Sequence, residues 1–307
     1  MNKPRRAPRR RVDGVLLLDK PPGMSSNAAL QKARWLFNAE KAGHTGTLDP
    51  LATGLLPLCF GEATKFSSTL LDADKTYLAT VKLGVVTDTC DAEGKVLATH
   101  PVTTTEADVL AVLTRFTGEI EQVPPMYSAL KREGKPLYEL ARQGIEVERA
   151  PRKVTIHTLE LLAWHCGTFD LRVDCSKGTY VRTLAADIGD ALGCGAHLSA
   201  LRRTRVGALD IAQAMTIEAI ETLPADARDH LLQSPDALLA GLPVAQLNAL
   251  ETASLLKGQP IRWADSTGVP SRQRRLFGPQ GFIGLGECLE DGWLKPKRLV
   301  ATLTATS

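Results

Sequence analysis

No run of about 18 or more apolar residues occurs in the chain, so the sequence offers no membrane-spanning helix. The early apolar stretch Val15-Leu16-Leu17-Leu18 is too short for the hydrophobic core of a secretion signal. Cysteines are few, and Cys59, Cys90, Cys166, Cys175, Cys194 and Cys288 form no CxxC pair. Most sit in apolar or strand-like surroundings, which points to buried thiols in a reducing compartment, the cytoplasm, rather than to a disulfide framework or a zinc site. The histidines, at positions 44, 100, 157, 165, 197 and 230, do not cluster at ligand spacing, so no metal cofactor is expected. A coiled-coil repeat is also missing, so a monomer with no obligate protein partner is expected. Net charge is small: 37 basic residues face 34 acidic ones, and any attraction for a polyanion must come from how they are distributed.

That distribution is uneven. Lys3, Arg5, Arg6, Arg9, Arg10 and Arg11 precede the first acid, Asp13. Residues 1–12 therefore read as a flexible basic tail, either touching phosphates or simply solubilising the chain. With 307 residues and 44% apolar content there is material for a sizeable core and two domains, expected at 13–241 and 242–307.

What the chain does have is a dense turn-forming stretch, Ala42-Gly43-His44-Thr45-Gly46-Thr47-Leu48-Asp49-Pro50-Leu51-Ala52-Thr53-Gly54. Its glycines and proline call for tight turns. Within them lie one imidazole, His44, and one carboxylate, Asp49, and the apolar run Leu55–Phe60 follows as an anchor. Two readings stay open: a binding or catalytic loop, or a structural turn in which Asp49 caps backbone N–H groups.

Around this loop the elements are legible. Gly14–Lys20 reads as a buried strand, with Lys20 at its end either facing a phosphate or solvated. Ser25 caps a helix to Phe37, and Thr105 caps another from Glu106 to Phe116. Lys75–Gly84 alternates with Tyr77, Ala79, Val81 and Leu83 inward, so Tyr77 is either a core tyrosine or a site residue. Strands are expected over 154–162 and 169–175, with a bulge near Thr158. Between them and the preceding helix, Gln122–Tyr138 mixes Tyr127 and Tyr138 with Lys131, Arg132 and Lys135, a combination suited to phosphates and bases.

Cys175-Ser176-Lys177-Gly178-Thr179-Tyr180-Val181-Arg182 marks a turn into a helix running to Leu192, with Thr179 as its cap. The helix dipole disfavours an arginine in the first turn, so Arg182 either answers an outside carboxylate or meets a phosphate. Arg202, Arg203 and Arg205 crowd Leu201–Gly207, a density that must meet acid or solvent. Residues 215–241 look helical and linker-like. From 242 on, short strand candidates and an Asp291-Gly292 turn indicate a small all-β module. Its Arg272, Arg274, Arg275, Lys295, Lys297 and Arg298 suggest a second nucleic-acid contact.

Six segments together carry a resemblance: residues 17–26, Gly43–Gly54, Lys75-Thr76-Tyr77, Pro125–Lys131, Cys175–Arg182 and Leu201–Thr204. In these the chain resembles the bacterial tRNA pseudouridine-55 synthases, and its last part resembles their PUA domain. The resemblance implies an α+β fold: a mixed, mainly antiparallel sheet with surrounding helices, then a small all-β RNA-binding domain. It implies isomerisation of one uridine in the T stem-loop of tRNA by base flipping, without cofactor or metal. Asp49 would be the catalytic aspartate and Arg182 its partner. Tyr77 would stack on the target base, with proton removal as a second task open to its hydroxyl. Tyr180 and Leu201 would line the pocket, His44 would hold the flipped loop, and Lys20 would support the pocket. Lys131 and Arg202 are counted with the RNA-binding residues, and residues 124–152 resemble the segment that closes on RNA.

Overall fold

Continuous apolar runs in this chain become strands buried on both faces, as expected where a sheet is covered by layers on each side. β1 (Gly14–Lys20) leads into α1 (Ser26–Leu36), β2 (Ala42–His44) and β3 (Thr53–Phe60). A 3₁₀ turn (Gly61–Phe66) and α2 (Ser67–Leu71) bring the chain to β4 (Lys75–Leu83). The hairpin of β5 (Val85–Thr87) and β6 (Val96–Thr99) follows, then α3 (Glu106–Leu113) and β7 (Gly118–Gln122). An excursion holds β8 (Lys131–Arg132), β9 (Lys135–Pro136) and α4 (Leu137–Arg142). Next come β10 (Arg152–Trp164), β11 (Thr168–Cys175), α5 (Val181–Ala191) and β12 (Ala196–Val206). The short β13 (Leu209–Asp210), β14 (Met215–Thr216) and α6 (Ile217–Thr222) complete this part. The computed structural model describes residues 8–128, 130–132, 134–263 and 271–301.

The main sheet runs β14-β1-β3-β12-β4-β11-β10-β7, with β2 on β3 and β13 on β12. Only the β1–β14 and β3–β12 pairings in it are parallel. On one face Leu16, Leu18, Leu56 and Leu58 meet α1 and α5 through Ala29, Leu30, Ala33, Leu184 and Ile188. On the other, Val15, Leu17, Leu55 and Cys59 meet Phe66, Leu70, Leu238 and Leu239. Residues 215–241, expected as a linker, thus contribute to the core: Ile217, Ile220, Leu238 and Leu239 are buried. Of the basic stretch 1–12, residues 8–12 are described and are tied down. Arg10 forms a two-bonded ion pair with Asp229, and Val12 is buried.

Local signals set several boundaries. Ser25 accepts from Ala28 N at the start of α1, and Thr105 with Asp108 closes a capping box on α3. A bulge falls between Ile156 and Thr158. At α5 the expected cap is replaced. Tyr180 is the N-cap, the Thr179 hydroxyl donates to Ser176 O, and the Gln122 amide from β7 pairs with both N–H and C=O of Tyr180. Gln122 is also the register partner of Arg152, so both ends of the excursion spring from one rung of the β7–β10 ladder.

β12 lies at the centre of the sheet although its second half is rich in arginine. Its backbone runs very close to β3 at Gly54, which holds φ +99°, a conformation suited to glycine. A Cβ there would stand 2.3 Å from Arg203 O. Gly54→Ala is therefore expected to destabilise the chain by about 2–3 kcal/mol. Urea unfolding measures this, and a change below about 1 kcal/mol would mean that the two strands yield without strain.

The C-terminal part is a five-stranded sheet in the order β15-β17-β18-β19-β16: β15 (Val244–Gln246), β16 (Ile261–Arg262), β17 (Gln273–Gly278), β18 (Gly281–Cys288) and β19 (Trp293–Leu299). It also carries a helix that strand patterning passed over, α7 (Ala249–Leu256), capped by Asn248 and Glu251. Lys65 donates to Leu299 O, Glu62 accepts from Ala301 N, and Phe66 meets Phe282 edge-on, which docks this sheet on the 3₁₀ turn after β3. The basic residues expected to reach nucleic acid here are largely engaged. Arg272 pairs with Glu290, Arg275 with Asp236, and Lys295 and Lys297 with Glu287, while Arg274 is buried. Paired cations attract phosphates weakly, so this patch is less basic than its composition suggests.

Candidate active site

The loop between β2 and β3 is held from several directions, and this fixes where Asp49 points. The Ser26 hydroxyl both donates to Leu48 O and accepts from Leu48 N at 2.7 Å. Gly23 N donates to Pro50 O, and Ala52 N to Asp49 O. With its backbone so occupied, the Asp49 carboxylate turns to Arg182, whose Nε lies 3.0 Å from Oδ2. The structural-turn reading, in which this carboxylate caps its own backbone, is not what the loop does.

Arg182 sits in the first turn of α5 with only 6% of its side chain exposed, and it spreads over four acceptors. Besides Asp49, Nη1 lies 3.4 Å from Asp91 Oδ2 and donates to Thr89 O, and Nη2 donates to Tyr127 O at 2.7 Å. A buried guanidinium needs this much compensation. Asp91 is 3% exposed and accepts from the Thr89 hydroxyl and Glu93 N. Its segment is pinned to β12 by Ala92 N to Leu198 O and Leu198 N to Cys90 O. By composition alone residues 87–95 read as a polar turn. The one clue to Asp91 was the need of a buried arginine for more than one counter-charge.

Asp49 keeps 41% of its side chain exposed, yet its carboxyl is pushed above the ordinary range. Desolvation is the chief cause, and the Arg182 guanidinium pulls it back. It stands between two adjoining cavities. One, of about 370 Å³, is walled by Tyr77, Tyr180, Leu201 and Arg203. The other, of about 590 Å³, is walled by Asn27, His44, Asp91 and Tyr127. Both volumes fall in the range of ligand pockets, about 300–1,000 Å³. Burial holds the Tyr77 and Tyr180 phenols in their neutral form to higher pH than usual, so both act as neutral rings with a polar tip. His44 on β2 is pushed toward neutrality by burial and by the charge of Arg203, and its Nδ1 is buried without a partner among the described residues.

Lys20 is neither solvated nor facing a phosphate. It is fully buried, and its Nζ donates to the carbonyls of Pro21, Met24 and Pro50. Burial pushes it down to about 8. It braces the Asp49 loop through Pro50, behind the cavity wall. Arg202 is likewise not brought to the pocket, because alternation along β12 sends Leu201 and Arg203 to one face and Arg202 to the other. There Arg202 forms a bidentate pair with Asp19. Lys131 lies in β8, and its side chain falls outside the described residues.

Comparison with known proteins agrees with this arrangement. Residues 34–181 match the TruB family pseudouridylate synthase (N terminal domain), residues 182–242 the tRNA pseudouridylate synthase B C-terminal domain, and residues 243–300 the Pseudouridine synthase II TruB C-terminal region. This chain belongs to the TruB family of pseudouridylate synthases. A tRNA pseudouridine synthase B of Azoarcus sp. (strain BH72) is 62% identical over 98% of this chain and 99% of that protein. Another, from Chromobacterium violaceum, is 55% identical over 98% of both chains. A solved Cbf5-Nop10-Gar1 complex contains a chain 27% identical, with a TM-score of 0.69, covering 90% of this chain and 78% of that one.

For a TruB-family pseudouridylate synthase the chemical inventory is economical. One accessible carboxylate is oriented by a guanidinium, two phenols and a leucine line the cavity beside it, and a second carboxylate is consumed within the ion-pair network. Among the described residues no three His, Cys, Asp or Glu side chains group as a metal site, and no helix is long and apolar enough to cross a membrane. Such a site suits nucleophilic or basic chemistry by a single carboxylate on a flat ring held between aromatic and aliphatic walls.

Proposed function

We propose that this chain isomerises uridine to pseudouridine in tRNA, at the T-arm loop uridine known as position 55, with Asp49 as the catalytic carboxylate. The observation that carries this reading is the Asp49–Arg182 pair, set between two cavities of which one is lined by Tyr77, Tyr180 and Leu201. The names of the relatives point the same way. The reaction breaks the N1–C1′ bond, turns the uracil while it stays bound, and joins C5 to C1′. The hydrogen on C5 leaves, and N1 ends with a proton. Asp49 attacks carbon as a nucleophile or balances positive charge at C1′, and Arg182 keeps it ionised and aimed.

A loop uridine is stacked in RNA, so it must flip out to reach Asp49. Tyr77 replaces the lost stacking with a contribution of about 1–3 kcal/mol. The excursion at 124–152 closes over the RNA from the side on which Tyr127 already touches Arg182. The test is tritium release from T-arm stem-loop RNA carrying [5-³H]uridine. Release at one equivalent per loop is expected from the wild-type chain. RNA binding without release would leave an RNA-binding protein and overturn the enzymatic reading.

A further inference from the structure

Arg203, with Arg274, is one of the two largest fully buried side chains among the described residues, at 1% exposure. Its neighbours Arg202 and Arg205 find acids, Asp19 and Asp210. Among the described residues no carboxylate comes within ion-pair distance of Arg203. A buried cation without a counter-ion is costly, so its charge must be met by dipoles. Those dipoles come from the site. Nε donates to Leu55 O at 2.8 Å, where β3 begins, and Nη2 to Gly46 O at 3.4 Å, inside the loop that carries Asp49. Across β4 its register partner is Tyr77, with the guanidinium beside the phenol. Its own backbone is pressed against Gly54, so it cannot shift along the sheet.

We propose that Arg203 is a positioning residue for the isomerisation, tying the Asp49 loop to Tyr77 from beneath the pocket so that carboxylate and ring keep a set separation. The proposal rests on the reading of this pocket as the uridine site. It also gives the buried charge a second effect. The guanidinium opposes the burial that raises Tyr77, and it pushes His44 toward neutrality. Lysine cannot substitute, because a single ammonium does not reach Gly46, Leu55 and the phenol as a planar fork does.

The test compares Arg203→Lys and Arg203→Met with the wild type in three measurements. These are single-turnover tritium release, T-arm RNA affinity, and ultraviolet titration of phenol ionisation, with Tyr77→Phe identifying the share of Tyr77. The expected result is a release rate at least about 30-fold lower, equivalent to about 2 kcal/mol, with RNA affinity within about threefold. Tyr77 should ionise at higher pH, further in Arg203→Met than in Arg203→Lys. A rate near wild type in a folded variant overturns the proposal, as does a rate loss that merely follows lost RNA affinity. So does an unchanged Tyr77 titration. If Arg203→Met does not fold, Arg203→Lys, which keeps the charge, decides. Absence of release from the wild type would count against the uridine reading instead, and the titration, which needs no turnover, would still judge Arg203.

Discussion

Asp49→Asn is expected to lower the single-turnover rate by about 10⁴-fold or more, while T-arm RNA affinity stays within about threefold of wild type. The amide has nearly the shape of the carboxylate and can still accept from Arg182, so the loop, pinned through Ser26, Gly23 and Lys20, keeps its path. What is lost is the negative charge on which the role proposed for Asp49 depends. Tritium release and filter binding on the same RNA measure the two effects separately. A residual rate within about a hundredfold of wild type would remove Asp49 from the centre of the reaction.

Arg182→Met should be nearly as severe for a different reason. Asp49 and Asp91 share this guanidinium, and its removal leaves two carboxylates near each other in a poorly solvated place. Breaking such a network costs about 3–5 kcal/mol, which corresponds to a rate loss of about 10²–10⁴-fold if it falls on the active form. The pH dependence has a definite sign. Burial already raises Asp49, and Arg182 is the largest influence lowering it. Without Arg182 the folded chain holds its proton to higher pH than the unfolded one. Stability of the variant therefore falls as pH rises through that window, because the folded state is then the better proton acceptor. Activity moves the opposite way, since only the ionised carboxylate works. A variant whose pH–rate profile is not displaced to higher pH than that of the wild type would contradict this account.

Much of this was legible in the chain. Leucine-rich β1 and alternating β4 declare themselves by period, and Ser25 and Thr105 by capping chemistry. The Gly- and Pro-rich stretch around Asp49 declares itself as a constrained loop. Three of the differences share one physical cause. Lys20, Asp91 and Arg203 are charged residues whose burial is compensated by backbone groups and side chains far away in sequence. Hydrophobic periodicity carries no trace of such compensation. Arg202 and Arg203 are not told apart in the sequence, because a row of arginines hides its strand alternation until β12 is known to be a central strand. Thr179 reads as the cap because nothing nearby announces Gln122, which reaches Tyr180 from β7.

The single rung on which the excursion stands has an evolutionary corollary. Gln122 and Arg152 face each other in the ladder, so everything between them forms a loop whose ends are already joined by the sheet. Lengthening such a loop adds closure entropy only logarithmically, about 0.6 kcal/mol per doubling. Beyond the Tyr127 carbonyl that holds Arg182, selection can therefore trim or extend the segment at little cost to the frame that carries Asp49 and Arg182. In this architecture the length of the excursion and the geometry of the Asp49–Arg182 pair are free to diversify at separate tempos.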